Sequence, residues 1–223
     1  TERDKKAQEL SAEIIANARN SILLNLRFMD RAVGNFRCIP NMNYGLAGSS
    51  GFVMYSPWTM ISSYLQEQSV VTRDLLHCVL HSVFRHSIVG PGIDRIKWDL
   101  ATDIAVEDSI NGLDRDFLYA KRQDQQVDIT ARLREAIHYL TAERIYSYLN
   151  SSEVSMTDCF KWSELFQADQ HDLWYGGGRP DATVTSEIDL NELWDDIAKR
   201  MQTELELFNN DSGALTQNLR DIN

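Results

Sequence analysis

Three of the chain's five histidines fall within one short run, Leu76-His77-Cys78-Val79-Leu80-His81-Ser82-Val83-Phe84-Arg85-His86. Residues four apart lie one above the other on a helix, so His77 and His81 can aim at a common atom. An H-x-x-x-H pair holds zinc with two imidazoles in this way. Two ordinary helical histidines would show the same spacing, so the pair does not decide the matter alone. His86 falls about 180° round the helix from His77. It is expected to face elsewhere and to close the helix, where a cation suits the dipole.

A second pair of groups follows in Trp98-Asp99-Leu100-Ala101-Thr102-Asp103-Ile104-Ala105-Val106-Glu107. Asp103 and Glu107 are again four apart, among apolar neighbours, where a carboxylate needs a partner and a metal ion is a good one. The bland alternative is a solvated acidic stripe. Two helices joined by a short Gly-Pro loop tend to pack antiparallel, which would bring the imidazoles and the carboxylates to one point. In H-E-x-x-H sites a glutamate after the first histidine polarises the metal-bound water. Here that position is Cys78, a short side chain that more often serves as a small buried apolar group.

These residues need helices to place them. Apolar residues recur at helical spacing from Arg3 to Val33 (Leu10, Ile14, Ala18, Ile22, Leu26, Met29), which predicts one long helix. Phe36–Ile39 and Gly51–Tyr55 are short strand-prone runs separated by turn chemistry, and predict a small hairpin or sheet. Helices are then expected from Pro57 to about Glu67, Thr72 to His86, Ile96 to Asn111, Ile129 to Leu140, Ala142 to Leu149 and Asp189 to Phe208. Met156–Trp174 is aromatic-rich, and Trp162, Phe166, Trp174 and Tyr175 are expected to pack together. Gly176–Pro180 reads as a flexible loop. The expectation is a mainly α fold with a small β-hairpin or sheet (α+β). A single domain over 1–210 is followed by a tail, 211–223, leading towards a further domain.

With 223 residues, 43% hydrophobic and 25% charged, the chain is long enough to bury a real core. Its formal charge of −11 disfavours nucleic acid, which is bound through lysine and arginine on phosphates, and anionic membrane surfaces. No apolar run approaches the ~18 residues of a spanning helix. Three scattered cysteines, Cys38, Cys78 and Cys159, form no disulfide framework, and a cytoplasmic setting is expected. No C-x-x-C pair occurs, so any metal site must be built from histidine and carboxylate.

The run from Val71 to His86, followed by Trp98 to Glu107, resembles a bacterial family of metallopeptidase-like domains that precede a von Willebrand factor A-like domain. Asn17-Ala18-Arg19-Asn20 with Leu26-Arg27-Phe28, Leu140-Thr141-Ala142-Glu143-Arg144-Ile145-Tyr146 and Asp169-Gln170-His171-Asp172-Leu173-Trp174 fit the same likeness, in order, across nearly the whole chain. The resemblance implies a helical zincin-like domain with a metal, zinc by default, on His77, His81 and Asp103. Cys78 departs from the relatives that carry H-E-x-x-H, and the chain looks closer to a branch with an apolar residue there. Glu107 then becomes a candidate fourth ligand or displaced catalytic base. His171 either caps the metal site from a distant segment or packs on Trp174 with a hydrogen bond to Asp169 or Asp172. Two readings of function follow. One is a metal-dependent hydrolase of peptide or protein substrates. The other is a non-catalytic interaction module working with the A-like domain and a MoxR-type AAA+ ATPase.

Overall fold

In a computed structural model of the chain, residues 1–151, 154–176, 187–207 and 213–222 are described. Residues 177–180 of the expected glycine loop lie outside them. Helix α1 (Glu2–Asn25) opens with a capping box between Thr1 and Asp4 and buries Ile14, Ala18 and Ile22 along one stripe. The single helix expected as far as Val33 is broken. The chain leaves helical geometry at Leu26, makes a 3-10 turn (Arg27–Met29) and forms a short helix α2 (Asp30–Asn35). Arg19 supplies the reason: its guanidinium donates to the Val33 carbonyl at 2.7 Å and the Phe36 carbonyl at 2.8 Å. In an unbroken helix Val33 would lie about 21 Å along the axis from Arg19. The chain must fold back to give those carbonyls to it.

The two strand-prone runs form β1 (Arg37–Pro40) and β3 (Phe52–Tyr55), and the stretch between them, expected to be turn, supplies a further strand, β2 (Leu46–Ser49), in the order β1-β3-β2. β2 and β3 are antiparallel, with Ser49 opposite Phe52, and β1 runs parallel to β3. Gly51, at φ +81°, makes the turn between β2 and β3, a conformation open to a residue without Cβ. That turn is pinned to the helix beneath it. Ser82 accepts from the Gly51 amide at 3.0 Å and donates to the Ser49 carbonyl at 3.0 Å.

Helix α3 (Pro57–Gln66) has Ser56 as its cap and proline in its first turn. Helix α4 (Gln68–Val83) follows after the single extended residue Glu67. It begins a turn earlier than Thr72, because Glu67 rather than Thr72 interrupts the helical run, and it stops short of His86. Helix α5 (Arg95–Gly112) is capped by Asp94. Helices α6 (Arg122–Ile137), α7 (Ala142–Leu149) and α8 (Met156–Phe166) complete the middle of the chain, then α9 (Glu187–Leu207). The stretch 211–223 is expected from sequence to be a tail. Ala214–Ile222 is instead a helix, α10, whose Leu215 and Leu219 are fully buried against α5 and α9. Its Asn218 donates to the Leu140 carbonyl and to Ser109, which ties it to the body.

Among the described residues two large apolar cores result, with a smaller cluster of Ala47, Phe52, Met54 and Leu173 on the sheet. One joins α1, α2, the sheet, α4, α9 and α10, with Phe36, Leu76, Leu80 and Trp194 among its largest members. The other joins α5, α6, α7 and α8, and takes in Trp174 and Phe166. The expected aromatic packing of Trp162, Phe166, Trp174 and Tyr175 lies here. Helices α4 and α5 run along the seam between the cores and are buried on almost every side. A helix buried all round has no solvent face for polar groups, so those it carries must satisfy one another.

Asp108 on α5 is one such group. Arg134 pairs with its Oδ1, but Oδ2 is buried without a hydrogen-bond partner among the described residues. Burial raises the carboxyl from 3.8 to about 6, against the pull of Arg134. The folded chain therefore holds a proton between pH 4 and 6 that the unfolded chain releases. The stability from that proton is fully present below pH 4 and is lost as pH rises through 6, by roughly 2–3 kcal/mol. Asp108→Asn is expected to gain that much relative to the parent between pH 4 and pH 7, read by urea denaturation at both. Equal differences at the two pH values would contradict this.

Candidate metal centre

His77 and His81 lie one turn apart on α4, both fully buried, with ring centroids 4.6 Å apart. Asp103, on the facing side of α5, comes to them across the seam. A fourth group arrives from the irregular segment after α8. Asp169 is held there by Gly48 on β2, whose amide donates to its Oδ2 at 3.0 Å. The neighbouring Gln170 amide donates to the Leu46 carbonyl, and Gln170 pairs in parallel with Ala47. The segment thus continues the sheet along the β2 edge. Only glycine suits position 48, because a Cβ there would stand 2.7 Å from Asp169 Oδ2.

One atom from each of His77, His81, Asp103 and Asp169 falls within 4.8 Å of the other three. The Nε2 atoms of the two histidines are 2.8 Å apart. Asp103 Oδ1 lies 3.2 Å from both, and Asp169 Oδ1 lies 3.4 Å from His77 and 3.7 Å from His81. A regular tetrahedron with zinc–ligand bonds of about 2.0–2.1 Å has edges of about 3.3 Å. These five separations scatter around that length, and all four atoms lie within 4.8 Å of one another, so the residues are spaced to hold a divalent ion. The donor set, two imidazole nitrogens and two carboxylate oxygens, suits zinc and its neighbours.

The groups outside the quartet orient it. His77 Nδ1 lies 2.8 Å from Glu107 Oε1, and an ionised carboxylate can only accept, so Nδ1 carries the proton. Glu107 also accepts from Arg73 at 2.7 Å, Arg122 at 3.0 Å and Gln126 at 2.8 Å, and Arg122 reaches Asp74 at 2.7 Å. Burial alone would raise Glu107, but Arg122, His77 and Arg73 outweigh it and hold the carboxyl well below its usual range. His81 Nδ1 lies 2.9 Å from His86 Nδ1. Burial brings His81 down to about 4 and His86 well below the ordinary histidine value, so both are neutral at pH 7.

Burial also works against charge on His77 and on Asp169, yet each is overcome by the other groups at the site. Hydrogen bonds to Asp103, Asp169 and Glu107 lift His77 well above the ordinary range. His171 and His77 hold Asp169 well below it. Two buried carboxylates therefore demand two positive charges at this point, and either two protons or one divalent cation can supply them.

Of the residues expected from sequence, His77, His81 and Asp103 meet in the quartet. Glu107 stands behind His77, on the Nδ1 side, with both oxygens taken up. His171 stacks on Trp174 at 3.8 Å and reaches Asp169 Oδ1 at 3.2 Å, yet it also lies 3.3 Å from Asp103 Oδ1. It therefore has the packing contacts and the proximity to the site together. His86 does not face away. The helix ends at Val83, Arg85 adopts φ +64°, and the chain turns back to seat His86 beneath His81. Asp169 was expected only as a partner for His171. A lone acid in an irregular segment carries no periodicity to mark it. Cys78 is fully buried and faces Gly48, its thiol pushed well up by burial and by Asp169 nearby.

Replacing Glu107 by Gln would leave Arg73 and Arg122 charged, with Asp74, which reaches Arg122, as the carboxylate that remains to the pair among the described residues. A loss of about 3–5 kcal/mol in unfolding free energy is expected at pH 7. A loss under about 1 kcal/mol would mean that the network contributes little to holding His77.

Compared with known protein families, with characterised proteins and with solved structures, the chain matches none of them.

Proposed function

We propose that the chain is a zincin-like domain in which one divalent ion, zinc by default, serves a structural role, and that it acts as a non-hydrolytic interaction module. Asp169 carries this reading. Catalytic zinc keeps a position for water, whereas structural sites are closed by four protein ligands. His77, His81 and Asp103 would hold the ion from α4 and α5, and Asp169 would close it from the β2 edge. When bound, the ion supplies the positive charge that Asp103 and Asp169 require. The chain's own part is to fix the donors. Glu107 sets the tautomer of His77, His86 sits against His81, and Gly48 holds Asp169. Burial of all four ligand side chains supports the same reading.

The position that a peptidase fills with glutamate is taken by Cys78, a short thiol that packs under Gly48 beside Asp169. Glu107, boxed in by two arginines and Gln126, is better suited to orient His77 than to take a proton from water. The A-like domain and the AAA+ ATPase expected from the resemblance are the partners we propose for such a module. Among the described residues no helix is long and apolar enough to cross a membrane.

A second reading, hydrolysis of peptides, has one observation in its favour. A cleft of about 360 Å³ between β2, α3 and α4 has Asp74 and Asp169 in its wall. In that reading Asp169 gives way to substrate.

Metal analysis of the purified protein is expected to find one equivalent of a divalent ion, and none in His77→Ala. Chelation should lower the melting temperature by roughly 10 °C, because ion binding to the folded chain alone is folding free energy. No ion after zinc addition would remove the reading. Cys78→Glu separates the two functions. It should lose stability by several kcal/mol, as an acid forced into the space at Gly48, and should cleave no peptide. A gain of metal-dependent peptidase activity would favour hydrolysis.

A further inference from the structure

His171 stands beside the quartet, outside the four residues whose ligand atoms all lie within 4.8 Å of one another. We infer that His171 is a fifth ligand, so that the ion sits among three imidazoles and two carboxylates; this rests on the metal reading above and deepens it. The first support is position. His171 Nε2 lies 3.3 Å from Asp103 Oδ1 and 3.2 Å from Asp169 Oδ1. It stands over the edge that joins the two carboxylates, and it approaches the same inward oxygens that face His77 and His81. Asp169 Oδ2 is held by the Gly48 amide, which leaves Oδ1 to face the centre of the site.

The second support is a pattern common to all three histidines. Each turns Nε2 inward and Nδ1 towards an outer polar group: Glu107 for His77, His86 for His81 and Asp99 for His171. Metal-binding imidazoles have this arrangement, the outer partner fixing the ring and its proton. His171 Nδ1 lies 3.3 Å from Asp99 Oδ1, although the angle falls short of a hydrogen bond. Asp99 is itself fixed, accepting from the Tyr175 hydroxyl at 2.6 Å. The third support is rigidity. The His171 ring lies flat on Trp174, 9° from parallel, and the Trp174 indole donates to the Gly48 carbonyl at 2.9 Å. One glycine thus positions Asp169 through its amide and the platform under His171 through its carbonyl.

The alternative is that His171 donates Nε2–H to the carboxylates and never touches the ion. Cobalt(II) distinguishes the two, because its visible bands are weak in five-coordinate sites and intense in tetrahedral ones. The cobalt-loaded full chain is expected to show the weak bands, and His171→Ala to keep one equivalent while the bands intensify several-fold. Intense bands in the parent, or unchanged bands in the variant, would overturn the inference and leave the four-ligand site standing. Failure of the folded parent to take up cobalt or zinc would instead remove the metal reading, and this inference with it. Should His171→Ala not fold, X-ray absorption of the zinc-loaded parent decides the matter. Scattering from three imidazoles supports the fifth ligand, and scattering from two overturns it.

Discussion

Everything at the centre of this fold answers to the burial of Asp103 and Asp169 at one point. Two carboxylates removed from water and placed beside each other are unstable unless positive charge lies between them. That demand explains why two imidazoles converge there, and why the rings are backed by further polar groups rather than by apolar packing. It also explains the second layer. Fixing His77 through Glu107 buries another carboxylate, which in turn needs Arg73 and Arg122. The charges therefore come in layers, each answering the one inside it, and the apolar cores close around the outermost.

The layers depend on main-chain architecture that has no titratable groups of its own. Ser82 ties the β2–β3 turn to α4, so the strand that carries Gly48 cannot drift from the helix that carries the histidines. Gly48 then positions Asp169. The sheet is small because its task is local: it provides one backbone edge at a fixed height above α4, and the segment after α8 docks along that edge.

Sequence patterning revealed the parts of this arrangement that lie on long regular elements. The four-residue spacings of His77 with His81 and of Asp103 with Glu107 survive into the fold because α4 and α5 are long enough to preserve them. Other parts were hidden because they depend on tertiary contacts. The break after Asn25 arises from Arg19 capturing distant carbonyls, with no proline or glycine at Leu26 to announce it. His86 was misplaced because extending helical geometry past Val83 ignores the left-handed turn at Arg85. Helix α10 is short and mostly polar, so Leu215 and Leu219 are a thin signal until α5 and α9 are there to receive them. Asp169 had only one clue, its position two residues before His171. Its counterpart, Gly48, looked like ordinary turn chemistry.

The distance in sequence between Gly48 and Asp169, 121 residues, has a consequence for how the molecule is made. A growing chain that has completed α4 and α5 already owns two imidazoles and a carboxylate, three of the four groups of the candidate site. Closure must wait for a contact of high sequence separation, and such contacts form late because the intervening chain has to be ordered first. Secure capture of the ion would then coincide with docking of the segment after α8 on the sheet. An ion bound there would be a latch on topology, held firmly only by a chain whose two halves have found each other.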